Sequence, residues 1–194
     1  MTGASPLALG AVILAGGTGA RIGGADKASI ELGPRTLLAW CLDAVIDAGE
    51  VVVLGDWVHT ERPVTFTRED PRGGGPAAGL LHGLDSFARP PREVVVLAVD
   101  MPNVTMGTIG RLRDAARGRD GAVLCDLSAR RQLAMVLDAG RLAKHAPPYD
   151  ARHGLPLHRL LDGLDLVDVP ALADEAHDID SFADLAEARR RFES

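Results

Sequence analysis

Cysteine is nearly absent from this 194-residue chain: the two present, Cys41 and Cys125, are far apart and have no Cys or His beside them at metal-ligand spacing. That excludes a zinc site and a disulfide framework, and a reducing cytoplasm is the expected compartment. Residues 1–10 carry no basic leader pattern, and the longest apolar runs, Ala11 to Ala15 and Val94 to Val99, are too short to span a bilayer. There is no excess of positive charge: 21 Lys and Arg against 27 Asp and Glu leave a net charge of −6. The chain as a whole has no electrostatic pull toward nucleic acid or anionic membrane, so an anionic ligand must be caught by a local site. Lysine is also scarce, with only Lys27 and Lys144. A lysine retained in a glycine-rich loop of an arginine-writing chain points to a need for a compact ammonium there.

What is present is an ordinary globular composition, 46% hydrophobic and 25% charged, which excludes disorder and fibrous architectures. The chain shows no repeat, low-complexity tract or linker. Residues 1–10 are expected to be a disordered or extended N-terminus and residues 11–194 one domain. Buried strands are expected at Ala11–Ala15, Val51–Leu54, Val64–Thr67, Val94–Val99, Ala122–Cys125 and Gln132–Leu137. Helices are expected over Thr36–Ala48, with Thr36 as N-cap and Gly49 as the C′ stop, and over Ala77–Ala88, Thr105–Arg117, Leu157–Leu164 and Ser181–Phe192. Ser181 and Asp184 have the spacing of a capping box. This alternation predicts a three-layer α/β/α sandwich with a mostly parallel sheet, and ligands beyond the carboxyl ends of its strands. The loops after Ala15 and Val99 are therefore the expected sites.

The first of these loops reads Leu14-Ala15-Gly16-Gly17-Thr18-Gly19-Ala20-Arg21-Ile22-Gly23-Gly24-Ala25-Asp26-Lys27, with five glycines in the nine positions from Gly16 to Gly24. Glycines expose backbone N–H groups with no Cβ in the way, which suits wrapping a phosphate chain, and Arg21 and Lys27 add countercharge. It is not a P-loop, because Lys27 lies between Asp26 and Ala28. Nor is it a dinucleotide fingerprint: starting at Gly17, the required last glycine is Ile22. A nicotinamide dehydrogenase is thereby excluded.

This run resembles the signature of the molybdenum cofactor guanylyltransferases, the molybdopterin-guanine dinucleotide biosynthesis protein A family within the Rossmann-like nucleotidyltransferases of nucleotide-diphospho-sugar transferase type. The resemblance continues through Glu69-Asp70, Gly75-Pro76-Ala77-Ala78-Gly79-Leu80, Asp100-Met101-Pro102 and Asp178-Ile179-Asp180-Ser181-Phe182-Ala183-Asp184-Leu185. It implies Mg²⁺-dependent transfer of GMP from GTP to the terminal phosphate of molybdopterin, with release of pyrophosphate. It also implies transient contact with the chaperones or target enzymes that take up the finished cofactor. Lys27 and Arg21 would clamp phosphates, and Asp100 would ligate Mg²⁺. Leu14, Ala15, Gly16, Gly17, Gly19, Lys27, Asp70 and Asp100 would bind nucleotide, with Asp180 and Arg131 on the acceptor side. The chain departs from the family pattern at Leu54, where Asn is usual, at Arg130-Arg131-Gln132-Leu133-Ala134, which lacks a proline, and at Asp180, which replaces Asn.

Each of these residues also has a plainer reading. Asp100 and Asp70 could simply form turns, Asp180 could cap the last helix, and Arg130 and Arg131 could be a solvated pair. The histidines show no catalytic or metal spacing, and Trp40 and Trp57 are expected to pack. The alternatives in function are a molybdopterin cytidylyltransferase, another small-acceptor nucleotidyltransferase, or a non-catalytic member of the family.

Overall fold

Strands buried on both faces need apolar residues at consecutive positions. In strand β1 (Leu7–Leu14) Ala11, Val12 and Ile13 are all fully buried, with Ala11 and Ile13 in one core and Val12 in the other. The computed structural model describes residues 7–16 and 26–192. Within them, β2 (Glu31–Leu32) and β3 (Arg35–Thr36) form a small hairpin, followed by α1 (Leu37–Ala44), β4 (Glu50–Leu54), β5 (Thr65–Thr67), α2 (Gly75–Asp85) and β6 (Pro91–Ala98). Then come α3 (Met106–Ala115), β7 (Gly121–Cys125), β8 (Arg131–Asp138), α4 (Ala139–His145), α5 (Leu157–Leu161), β9 (Leu166–Pro170) and α6 (Phe182–Phe192).

Seven strands form one sheet in the order β5-β4-β1-β6-β8-β7-β9. All neighbours are parallel except β8, which runs antiparallel to both β6 and β7. Helices α1, α3 and α6 contribute to the core on one face, and α2, α4 and α5 to the core on the other. The expected three-layer α/β/α sandwich is present. From β1 the chain moves outward to β4 and β5, then returns to place β6 on the other flank of β1. That reversal opens a crevice at the carboxyl ends of β1 and β6, where open α/β sheets take their ligands.

Several boundaries differ from the sequence expectation. β1 begins at Leu7 rather than Ala11, because Gly10 lies within the strand instead of breaking it; a Cβ there would stand 2.8 Å from the Phe87 ring. Helix α1 starts at its Thr36 cap but ends at Ala44. The Arg62 guanidinium donates to the carbonyls of Val45, Ile46 and Ala48 at 3.2, 3.4 and 2.8 Å, which caps the helix end from another segment. Gly49 is thus not a C′ stop; its N–H bonds to Leu9 O at 3.0 Å. Helix α5 stops at Leu161, before Gly163 at φ 89°. The two-residue strands of the β2–β3 hairpin and the five-residue edge strand β9, interrupted by Asp168 and with none of its residues fully buried, were not apparent from periodicity.

Candidate active site

Lys27 opens a 3₁₀ turn, Lys27–Ser29, whose cap is Asp26: its side chain accepts from the Ala28 N–H at 3.1 Å. Ala28 is fully buried and belongs to the core on the face that carries α1. The capped turn and its apolar foot together direct Lys27 toward the carboxyl end of β6. There its Nζ donates to Asp100 Oδ2 at 2.7 Å and to Asp180 Oδ1 at 2.9 Å. Burial works against the ammonium's charge, but hydrogen bonds to the two carboxylates and their charges outweigh it and hold the Lys27 pKa above its ordinary value.

Asp100 stands just past the end of β6, which is held to β1 by the Val99 N–H to Leu14 O bond of 3.1 Å. Asp180 comes from the far end of the chain. Its loop is pinned by the Ile179 N–H, which donates to Asp100 O at 2.9 Å, while the Ile179 side chain is buried in the core. The expected capping box then starts α6. Ser181 N and Oγ donate to Asp184 Oδ2 at 2.8 and 2.7 Å, and Asp184 N donates back to Ser181 Oγ at 3.2 Å. Asp180 therefore leaves the cap to Ser181 and turns its carboxylate to Lys27. Asp178, which sequence reading passed over as a site residue, adds a third carboxyl beside the cluster. Burial first, and then the charges of Asp180 and Asp100, push its pKa up.

A cleft of about 320 Å³ adjoins this cluster, lined by Leu14, Gly16, Leu54, Glu69, Pro76 and Asp100 among others. Its floor is the carboxyl edge of the sheet, and one wall is the N-terminal end of α2, which begins Gly75-Pro76. Leu133 also reaches the cleft, because antiparallel β8 begins on this edge, pairing Ala134 with Leu97. Ala15 is buried at the margin, its N–H on Leu54 O at 2.9 Å.

The remaining expected residues have other surroundings. Asp70 is exposed and accepts from Tyr149 Oη at 2.7 Å; its neighbour Glu69 is the one that lines the cleft. Arg131 donates to Asp168 Oδ1 of β9 at 2.7 Å. Trp40 donates its indole N–H to Leu32 O at 3.0 Å. Trp57 does not pack into a core, being 74% exposed with its ring tilted on Phe66. Gly17, Gly19 and Arg21 lie outside the described residues.

Among the described residues no group of three or more His, Cys, Asp or Glu could by itself hold a metal ion. Asp100 and Asp180 nonetheless place two carboxylate oxygens around one cation, here the Lys27 ammonium. Such a pair suits Mg²⁺, which usually takes one or two carboxylates and completes its octahedron with water and phosphate oxygens. No helix among the described residues is long and apolar enough to cross a membrane.

A family model described as MobA-like NTP transferase domain matches residues 11–187. A molybdenum cofactor guanylyltransferase of Rhodopseudomonas palustris (strain HaA2) is 36% identical over 139 residues, covering 66% of this chain and 64% of that protein. The match thus spans just under two thirds of that relative's length. Among solved structures, molybdopterin-guanine dinucleotide biosynthesis protein A from Archaeoglobus fulgidus superposes with a TM-score of 0.73 at 20% identity, over 95% of this chain and 98% of the other. The 2-C-methyl-D-erythritol 4-phosphate cytidylyltransferase of Thermus thermophilus superposes with a TM-score of 0.70 at 22% identity, over 94% and 98%. These two likenesses are of fold.

Proposed function

The chain belongs to the family of MobA-like NTP transferase domains, and on that premise we propose that it transfers GMP from GTP to the terminal phosphate of molybdopterin in a Mg²⁺-dependent reaction. An oxygen of the acceptor phosphate attacks the α-phosphorus and forms a new P–O–P bond. The bond from the α-phosphorus to the α,β-bridging oxygen breaks, and pyrophosphate leaves with that electron pair. The observation that carries the reading is the placement of Lys27 Nζ, at 2.7 Å from Asp100 and 2.9 Å from Asp180, at the edge of the cleft.

Phosphoryl-type transfer asks little covalent chemistry of a protein; positioning and charge neutralisation do most of the work. In this reading Lys27 gives a point positive charge to the triphosphate and to departing pyrophosphate. Asp100 and Asp180 hold Mg²⁺. The chemistry supplied by bound Mg²⁺ is neutralisation of phosphate-oxygen charge. The backbone of Leu14, Ala15 and Gly16 borders the nucleotide, and Gly17, Gly19 and Arg21 complete the phosphate cradle. The reaction is assigned to the cytoplasm, in keeping with two free, buried thiols. The product is passed to molybdenum cofactor chaperones or target enzymes.

Thermal unfolding with GTP, CTP, ATP and UTP, each with and without Mg²⁺, tests the reading. A ligand at a hundred times its dissociation constant stabilises by about 2.7 kcal/mol. The expected result is a shift with GTP and Mg²⁺ that the other nucleotides do not match, followed by pyrophosphate release when molybdopterin is added. A preference for CTP moves the activity to cytidylyl transfer, and no shift with any nucleotide overturns nucleotidyl transfer.

A further inference from the structure

We infer that Arg189 is a positioning residue for the transfer reaction, holding Asp180 in place against Lys27 by clamping α6 to the β2–β3 hairpin; the inference rests on the guanylyl-transfer reading above. Lys27 and Asp180 lie 2.9 Å apart although 153 residues separate them in sequence. The segments that carry them meet a second time. The Arg189 guanidinium, in α6, donates from Nη2 at 2.9 Å and from Nε at 3.3 Å to the carbonyl of Glu31, the residue that opens the hairpin after the Lys27 turn.

Asp180 stands just before α6, so the helix acts as a lever on its carboxylate. The near end of the lever is fixed by the Ile179 N–H on Asp100 O. A rod attached at one end alone can still pivot. Arg189 lies about two turns beyond Phe182, roughly 10 Å along the helix axis, and a tie at that distance removes the pivot. Leu185 and Ala188 of α6 also share a core with Leu32 of the hairpin, but apolar contact is non-directional. Two donors from one planar guanidinium onto a single carbonyl fix both distance and direction. The hairpin is in turn fastened to the Lys27 turn, because the Leu37 N–H donates to Ile30 O at 2.9 Å. The Lys27–Asp180 ion pair thus closes a ring of ties whose far side is Arg189.

A plainer role would be to complement the helix dipole, since Arg189, Arg190 and Arg191 all lie in the last turn of α6. Arg190 shares that position and is likewise exposed, whereas the bonds to Glu31 belong to Arg189. Comparing the two residues therefore separates the clamp from the dipole. The clamp matters to the reaction because catalysis by charge placement is sensitive to geometry: a misplacement of about 1 Å caused far from the chemistry can cost on the order of a hundredfold in rate.

The test compares wild type, Arg189→Ala, Arg189→Lys, Arg190→Ala, Asp180→Asn and the double variant Arg189→Ala with Asp180→Asn. Amide hydrogen exchange, which needs no substrate, reads the clamp directly. Arg189→Ala should speed exchange of the Ile179 and Leu37 amides by roughly tenfold, the worth of one hydrogen bond to a charged group, and Arg190→Ala should leave both unchanged. In steady-state assays with GTP and molybdopterin, Arg189→Ala should lower kcat by a similar factor without changing KM for GTP, because Leu14, Gly16 and Leu54 line the cleft outside the clamp. Arg189→Lys should restore part of the rate. Once Asp180 is Asn, Arg189→Ala should cost little more, the non-additivity expected when one residue acts through the other. Wild-type exchange at both amides in Arg189→Ala overturns the inference, as does an equal effect of Arg190→Ala. Additive losses of kcat in the double variant overturn the route through Asp180. A wild type inactive with GTP and molybdopterin overturns guanylyl transfer instead, and the exchange pattern then decides the clamp by itself.

Discussion

The amide of Ile179 donates to the carbonyl of Asp100 at 2.9 Å, joining the segment before the last helix to the loop after the central strand. Ile179 is also 3% exposed and part of the core, so one residue anchors Asp180 by its backbone and by its side chain. Ile179→Ala should cost about 2–5 kcal/mol of stability, measured by urea denaturation. It should also lower nucleotide turnover in the remaining folded protein by loosening Asp180. Unchanged turnover would show that Asp180 keeps its place without this anchor.

Lys27→Ala should leave a folded protein, because the residue's contacts are polar and lie at a cleft edge, but it should reduce turnover by about 10²–10³-fold, the usual worth of a transition-state charge donor. Lys27→Arg should rescue it poorly, since a planar guanidinium does not replace a compact ammonium between two carboxylates. Asp100→Asn should abolish Mg²⁺-dependent activity across the concentration range that saturates wild type. Initial rates across a Mg²⁺ titration, with circular dichroism to verify folding, check all three variants.

Gly83 in α2 leaves no room for a methyl group: a Cβ there would lie 2.7 Å from Val12 Cγ1 and 3.0 Å from Leu54 Cδ2. Val12 is stiff at χ1 and fully buried. Gly83→Ala should therefore destabilise by about 1–3 kcal/mol through overpacking. Because Leu54 lines the cleft, the same substitution should raise the dissociation constant for GTP. A variant with lower stability and unchanged GTP affinity would mean that the strain is absorbed on the Val12 side.

Glu175 ties α3 to the loop after β9. It accepts from Arg111 at 2.8 and 2.7 Å, from Thr108 Oγ1 at 2.6 Å and from the Leu172 N–H at 2.8 Å. Burial alone would raise its pKa, but these donors and the guanidinium charge outweigh burial and pull it down to about 2. A carboxylate depressed in the folded state contributes stability above its unfolded pKa and loses it as pH falls through the folded one. Stability should thus decline from about pH 5 toward pH 2. Glu175→Gln should flatten that decline while costing about 1–3 kcal/mol at pH 7. Urea midpoints across this range for both proteins supply the check.

The sheet was legible because its central strands are written in consecutive apolar residues, such as Val94 to Val99, that have no other stable place than between two helical layers. Caps at Thr36, Thr105 and Ser181 act within four residues, so the starts of α1, α3 and α6 could be anticipated within a residue. The end of α1 could not, because Arg62, well downstream in sequence, supplies its cap. Edge strand β9, Leu-Val-Asp-Val-Pro, is only five residues long with none fully buried, so its short apolar stretch did not announce a strand, and its place is set by pairing with β7. At the site, Lys27 and Asp100 were recognisable from local motifs. Asp180 was ambiguous between cap and site, and the difference between Glu69 and Asp70 was invisible, since adjacent carboxylates diverge only through the loop that carries them.

By itself, then, the sequence determined the alternation of strands and helices, the glycine-rich loop with its rare lysine, and the acidic residue after the central strand, because each rests on short-range pattern and steric preference. Tertiary structure alone decided that Lys27 meets two carboxylates contributed from 73 and 153 residues away, and that Glu69 rather than Asp70 faces the cleft. Those outcomes depend on strand order and on long-range anchors such as Ile179, and neither strand order nor a contact across the whole chain has a local signature.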